Sequence, residues 1–395
     1  MNRKTILIIS AWAVAFALGL VGFYQRMTYG HQLSGYGSYA SWGLWVADYI
    51  YFVGLSAGAF LLSSMVYVFN VKRLEKIGKL ALFTAITALI AAMLVIWFDI
   101  GHMARFYEIF TRPNFRSMMT WMIWLYTAYF LLLVTEFVLV MRPELSRNPL
   151  SASTLERDRK MVRLLASIGV PLAVLFHGGV GALFAVVGAR PYWNTSILPL
   201  MFLLGALLSG GALLTAVITF MWPAKDGAYR DLVQYLGRLV LAMLLLFALF
   251  EWSEISVPLW SGVSGAFQAE VESIRLALFG PYWWVFWVIH LGLGTIIPIV
   301  LLIAFPKNPS RVGLASLLVA LAFLGTRLNI VIPGVVTAQL QGLETAYVDS
   351  RLVFSYVPTL HEWLVTLFAI SVGAAIFLVG VSKLPIFGPR EATKA

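Results

Sequence analysis

Ionisable side chains stand inside stretches that are otherwise apolar: Asp48, Asp99, Glu136, Glu251, Glu254, Glu362, His177, His290 and Arg327. At the centre of a bilayer such a group costs ~2.5–3.5 kcal/mol on insertion scales, so residues of this kind mark proton relays, ion pathways or substrate contacts. An isolated guanidinium is too costly there, so Arg327 is expected to face at least one carboxylate. His102 and His361 add imidazoles at the edges of their apolar stretches. Tryptophan and tyrosine crowd the same neighbourhood, among them Trp42, Trp45, Tyr49, Trp121, Trp124 and Trp193. An aromatic belt at the membrane–water interface accounts for most of them. Flat apolar walls beside a few polar donors are also what a quinone ring requires.

Other chemistries are narrowed by composition. The chain has no cysteine, which excludes disulfides, thiolate zinc sites and cysteine-ligated iron–sulphur clusters. His177 and His290 lie at matching depth on different segments and could pair as haem ligands, but a two-haem cytochrome normally presents four membrane histidines. No metal site is expected. The net charge of +10 does not signal nucleic acid, because no basic patch interleaved with aromatics lies outside the apolar segments.

The elements that must hold these residues are membrane helices. With 61% hydrophobic and 12% charged residues in 395, the composition is that of an integral membrane protein. Ten segments are long enough to span: about 5–24, 43–70, 80–100, 117–141, 161–187, 197–222, 232–256, 281–305, 313–336 and 361–384. The first has no small-residue exit site and is kept as a retained span. One set of connections (the N-terminus, 71–79, 142–163, 223–238, 306–312 and the C-terminus) holds 20 of the 28 Lys and Arg, which puts both termini in the cytoplasm. Asp48, Asp99, Glu251, Glu254 and Glu362 then gather in the outer third of their spans, with Glu136 the inner exception. No water-soluble domain is expected, and Val271–Phe279 reads as a short interfacial helix.

The second span carries Ser56-Ala57-Gly58-Ala59 and the sixth Ser209-Gly210-Gly211-Ala212. The echo predicts a parallel repeat of four-helix units, 42–187 and 197–336, flanked by spans 1 and 10. The fold class is all-α.

In order and spacing, these motifs resemble the NrfD/polysulphide-reductase family of membrane subunits, within its ten-span HybB/DsrP-like branch. The resemblance covers nearly the whole chain. It rests on Trp42-Gly43-x-Trp45-x-Ala47 with Gly54 and Gly58, Asp99-Ile100-Gly101-His102, Glu136-Phe137, and His177 with Gly178 and Gly181. It continues through Leu198-Pro199-x-x-Phe202, Trp252-Ser253-Glu254, Phe286-Trp287, Arg327 and Tyr356-Val357-Pro358-Thr359-Leu360-His361-Glu362. Two positions depart from the pattern: Trp121 stands where HybB-like members can carry an acid, and His102 where Arg can stand.

The resemblance implies a cofactor-free anchor in a prokaryotic inner membrane, with no haem or iron–sulphur cluster of its own. A ferredoxin-like iron–sulphur subunit would dock on the outer face, beside a catalytic subunit of hydrogenase, molybdopterin or sulphur-metabolising type. Electrons would pass to or from an exchangeable menaquinone or ubiquinone. On this reading Trp42, Asp48, Tyr49, His102 and Trp121 form the quinone site, and Asp99 exchanges protons. Glu254, Arg327, Glu362 and His177 belong to the second bundle as a proton path or ion-pair network. A secondary transporter or other ion-translocating protein without a redox role is the rival reading, since buried charges and repeated bundles are transporter features too.

Overall fold

The computed structural model describes residues 3–146, 148–261, 268–340, 342–347, 349 and 352–387. Among the described residues, ten helices are long and apolar enough to cross a membrane: α1 (Arg3–Tyr29), α2 (Leu44–Tyr67), α3 (Gly78–Asp99), α4 (Met118–Leu145), α5 (Ala152–Ala185), α6 (Leu198–Met221), α7 (Gly227–Ser261), α8 (Val285–Ala304), α9 (Pro309–Val336) and α10 (Leu360–Lys383). The chain is a multi-pass, all-helical membrane protein.

Helices that are apolar all round belong in the interior, and α2 and α6 are the two most buried, with small residues where they meet. Within the most apolar window of α2, 89% of residues are buried, against 11% in α1. A Cβ added to Gly58 would lie 1.9 Å from the Ala206 carbonyl oxygen, and one on Gly210 would lie 2.6 Å from the Ala59 nitrogen. The two small-residue motifs therefore pack directly on each other, backbone against backbone. Helix α2 also packs on α3, α5 and α9, and α6 on α5, α7 and α9. Contacts α3–α4 and α4–α5 close one ring of four, and α7–α8 and α8–α9 close another. Helix α1 lies against α10, and α10 against α3.

Helix boundaries differ from the hydropathy reading where polar residues extend a helix past its apolar core. Helix α5 begins at Ala152 rather than near 161, because Ser151 caps it by accepting from the Thr154 N–H at 3.3 Å. The buried Asp158 in that extension is paired with Arg142 at 3.3 Å. The short helix after α7 spans Gln268–Phe279 and takes in Val271–Phe279. Helix α8 is π-helical over Val285–Ile296, a geometry often found at functional positions.

Two arginines finish helices that end at the tryptophan-rich face. Arg26 donates from Nε to the Phe98 carbonyl at 2.7 Å and from Nη2 to the Ile100 carbonyl at 2.9 Å, closing α3. Arg190 donates from Nη1 to the carbonyls of Val335 and Thr337 at 3.0 and 2.8 Å, closing α9. Each supplies a cation where the helix dipole is negative and the last carbonyls lack partners.

Candidate functional site

The end of α3 that Arg26 closes carries Asp99, and a polar cluster has formed around it. Tyr36, in the α1–α2 loop, donates its hydroxyl to Asp99 Oδ1 at 2.8 Å. Arg26 Nη2 also reaches His31 Nε2 at 3.0 Å, and its guanidinium lies 5.7 Å from the Trp45 ring. The rings of His31, Tyr36 and Trp45 lie 5.4–5.8 Å apart in pairs. Next along the chain, Gly101 and His102 are exposed on the turn that follows α3.

Arginine has donors only, so His31 Nε2 must be the acceptor. The neutral ring then carries its proton on Nδ1, a buried atom with no partner among the described residues. The cluster thus sets a buried N–H donor beside a hydrogen-bonded carboxylate, with the Asp99 and Ile100 carbonyls close to the ring. Burial first, and the Arg26 charge second, push the His31 imidazole down from 6.5 to about 4. Because this value lies below that of an unfolded histidine, the native state binds fewer protons between about pH 4 and 6.5. His31 therefore withdraws stability as pH falls through that window and is neutral above it. Histidine-selective nitrogen NMR should find His31 neutral and Nδ1-protonated from pH 5 upward. In Arg26→Gln its titration should move up toward 6.5; an unmoved titration would show that Arg26 has no hold on the ring.

Glu362 sits beneath this cluster and fastens it. Its Oε2 accepts from the Gly35 N–H at 3.0 Å and the Thr359 N–H at 2.9 Å, completing a capping box that opens α10. Its Oε1 accepts from the Tyr356 hydroxyl, which in turn accepts from the Leu44 N–H at 2.7 Å. A Cβ on Gly43 would fall 2.1 Å from the Tyr356 ring, so the Trp-Gly pair at 42–43 exists to admit that tyrosine. Thr366 of α10 donates to Asp48 Oδ2, while Asp48 Oδ1 has no partner among the described residues. Glu362 thus joins the α1–α2 loop and α10, not the Arg327 neighbourhood expected from the sequence, because its capping geometry fixes it to the start of α10.

The remaining residues expected around a ring do not converge on one pocket. Trp42 stacks on Trp193 at 5.6 Å and meets Phe184 edge-on. Tyr49 hydrogen-bonds Tyr126 of α4. Trp121 is exposed and donates to the Phe115 carbonyl at 2.9 Å. His102 is exposed on the turn that follows Asp99 and Gly101.

Arg327 departs from expectation in its partner. It is fully buried, and none of its three nitrogens finds an acceptor among the described residues. Its guanidinium lies 4.3 Å from the Phe202 ring centroid and 5.0 Å from that of Phe323. Aromatic faces take the place of a carboxylate, as a planar, weakly hydrated cation allows. Glu251 is engaged elsewhere, accepting from His290 Nε2 at 3.0 Å, while His290 Nδ1 accepts from Asn329 at 3.3 Å. Glu254 and Arg327 line the same cavity of about 50 Å³, room for a few waters. His177 belongs to α5 and so to the first ring of helices; a Cβ on Gly54 would lie 3.5 Å from its Cε1 and 3.6 Å from Arg327 Nη2. Because no carboxylate touches the guanidinium among the described residues, Arg327→Met should leave thermal unfolding in detergent unchanged or raise its midpoint. A loss of about 3–5 kcal/mol would instead reveal a broken ion pair.

His31, Tyr36, Arg26 and Gly35 are absent from the sites expected from sequence. They lie at or beyond the end of a span, where hydropathy gives no periodic signal; a histidine and tyrosine in a short connection facing a membrane acid were the available clue.

Known proteins resemble this chain over most of its length. A selenate reductase subunit of Mesobacillus selenatarsenatis is 36% identical, with 95% of this chain and 92% of that protein covered. The Hdr-like menaquinol oxidoreductase integral membrane subunit of Archaeoglobus fulgidus is 28% identical over 95% of this chain and 92% of its own. The menaquinone reductase integral membrane subunit of Nitratidesulfovibrio vulgaris is 26% identical over 96% and 91%. Residues 33–339, from the His31–Tyr36 loop to just past α9, match the family model for polysulphide reductase, NrfD, and the chain belongs to that family.

Proposed function

We propose that this chain is the quinone-reactive membrane subunit of a multi-subunit respiratory oxidoreductase, working at its tryptophan-rich end. The observation that carries the reading is the Tyr36–Asp99 hydrogen bond at the end of α3, with the His31 Nδ1–H, which has no side-chain partner among the described residues, beside it. A bound quinone or quinol supplies two-electron, two-proton chemistry. His31 would donate to a carbonyl oxygen, and Asp99, reached through Tyr36, would give or take the proton. Tyr36 supplies a flat wall backed by the buried Trp45, Arg26 supplies positive charge, and Glu362 holds the loop in position. His102 is exposed beyond the end of α3, and Asp48 is a second carboxyl, with one oxygen unpartnered among the described residues. Trp42 and Tyr49 act as packing for the helices that frame this centre, and Trp121 lies exposed on α4.

The names of the menaquinol- and menaquinone-reacting relatives support menaquinone as the lipid-soluble partner. The likeness to membrane subunits of reductases supports a catalytic partner, with an iron–sulphur protein as the immediate electron partner on this reading. The Lys and Arg bias supports a cytoplasmic basic end in a prokaryotic inner membrane. The cavity shared by Glu254 and Arg327, with His177 alongside, offers a separate route for proton exchange.

A photoreactive azidoquinone tests the site. With the assembled complex in native membranes, labelling should concentrate on residues 26–36 and 97–103 and be blocked by excess menaquinone. Blockable labelling confined to α6–α9 would overturn it.

A further inference from the structure

The opposite, basic end of the helices carries a groove of about 1030 Å³ that the quinone reading leaves unused. It runs between the α2–α3 turn, the facing ends of α4 and α5, and the segments that follow α6 and α10. Its walls are apolar, formed by Tyr67, Leu139, Val140, Trp222 and Phe387, and its rim carries Lys72, Lys76, Lys79, Arg159 and Arg163.

The charges at this rim do not cancel. Lys79 is paired with Glu144 and Asp158 with Arg142 at 3.3 Å, while Asp226 keeps its charge although it accepts from the Tyr229 N–H at 2.8 Å. Lys72, Lys76, Arg159 and Arg163 have no ion-pair partner among the described residues, against two lining carboxylates without a cation, Glu75 and Asp226. Arg159 and Arg163 are one turn apart on α5 and so share a face. The level is that of the head groups, since α2 ends at Tyr67, α6 at Met221 and α3 starts at Gly78. Phe69, Val138, Leu145 and Leu164 are exposed at the same level, as lipid-facing residues are.

We propose that this groove binds an anionic phospholipid, its phosphodiester among Lys72, Lys76, Arg159 and Arg163 and its acyl chains along the apolar walls. A basic pocket between membrane helices is suited to such head groups. A free phosphate has no use for the apolar walls, and a soluble protein partner would not need a cleft that descends between helices.

Native mass spectrometry of the delipidated full chain, titrated with phosphatidylglycerol or phosphatidylcholine, tests this. Phosphatidylglycerol should bind more tightly and survive activation that strips phosphatidylcholine. Each cation removed from the set K72A, K76A, R159A and R163A should weaken it about fivefold. The double variant R159E/R163E, at exposed positions, should abolish the preference while keeping the parent elution profile. Equal retention of the two lipids, or retention unchanged in both kinds of variant, overturns the proposal. Displacement of phosphatidylglycerol by millimolar inorganic phosphate would mark a free-oxyanion site, and protection of Arg159 and Arg163 by a soluble protein in lipid-free complex would mark a protein interface; either overturns it as well.

Discussion

Asp99→Asn is expected to lower quinone-linked turnover of the assembled complex by about 10²–10³-fold while leaving the chain's abundance in the membrane unchanged. The substitution keeps size and shape, and the asparagine carbonyl oxygen can still accept from Tyr36, so the 2.8 Å contact that ties the α1–α2 loop to α3 survives. What it removes is a group able to gain or lose a proton. Tyr36→Phe should cost less, about tenfold, because it lengthens the route to the carboxyl without deleting it. His31→Ala should raise the apparent KM more than it lowers kcat, since the Nδ1–H contributes to holding the ring in both of its states. Turnover of Asp99→Asn within about twofold of the parent, measured with a water-soluble menaquinol analogue and an artificial electron acceptor, would remove Asp99 from the proton route. The azidoquinone labelling pattern is independent of that result, so a misplaced proton donor can be told from a misplaced ring.

Some of this site is legible in the sequence, and the rest is hidden for physical reasons. Asp99, Asp48 and Glu362 stand out because an acid in a span is rare and costly. Thr359 and Glu362 also spell a capping box three residues apart, and that motif explains why Glu362 faces the α1–α2 loop. His31 and Tyr36 carry no such mark, because a polar residue in a connection is ordinary until the fold brings it against a buried carboxyl. Arg327 shows the opposite failure. Its cost was legible, but its solution was not, since nothing in a sequence says that Phe202 and Phe323 will lie against the guanidinium. The tryptophans mislead by number: with fourteen in the chain, a ring-binding role could not be told from an interfacial one. Trp121 proves exposed, hydrogen-bonded to its own approach loop.

The small-residue echo between α2 and α6 yields the sharpest stability prediction, because two adjacent glycines should behave oppositely. In Gly210→Ala the new methyl meets the Ala59 nitrogen at 2.6 Å and the Gly58 backbone at 2.7 Å. Backbone atoms at a helix crossing cannot rotate away, so α2 and α6 must separate, and with them the helices that pack on both. Overpacking a core typically costs about 1–3 kcal/mol where side chains can adjust; here none can, so the loss should reach about 3 kcal/mol or more. Gly211→Ala adds the same methyl one residue on, where the nearest atom is the Leu62 Cδ1 at an ordinary 3.6 Å. It should be neutral or slightly stabilising, since alanine is the better helix former by about 1 kcal/mol. Size-exclusion profiles of fluorescent-protein fusions in mild detergent would show a collapsed monodisperse peak for Gly210→Ala and a parental one for Gly211→Ala. Equal profiles would mean that the two halves of the chain do not meet through these motifs. Gly58→Ala, with its methyl 1.9 Å from the Ala206 oxygen, should fail as Gly210→Ala does, because both press on one crossing from its two sides.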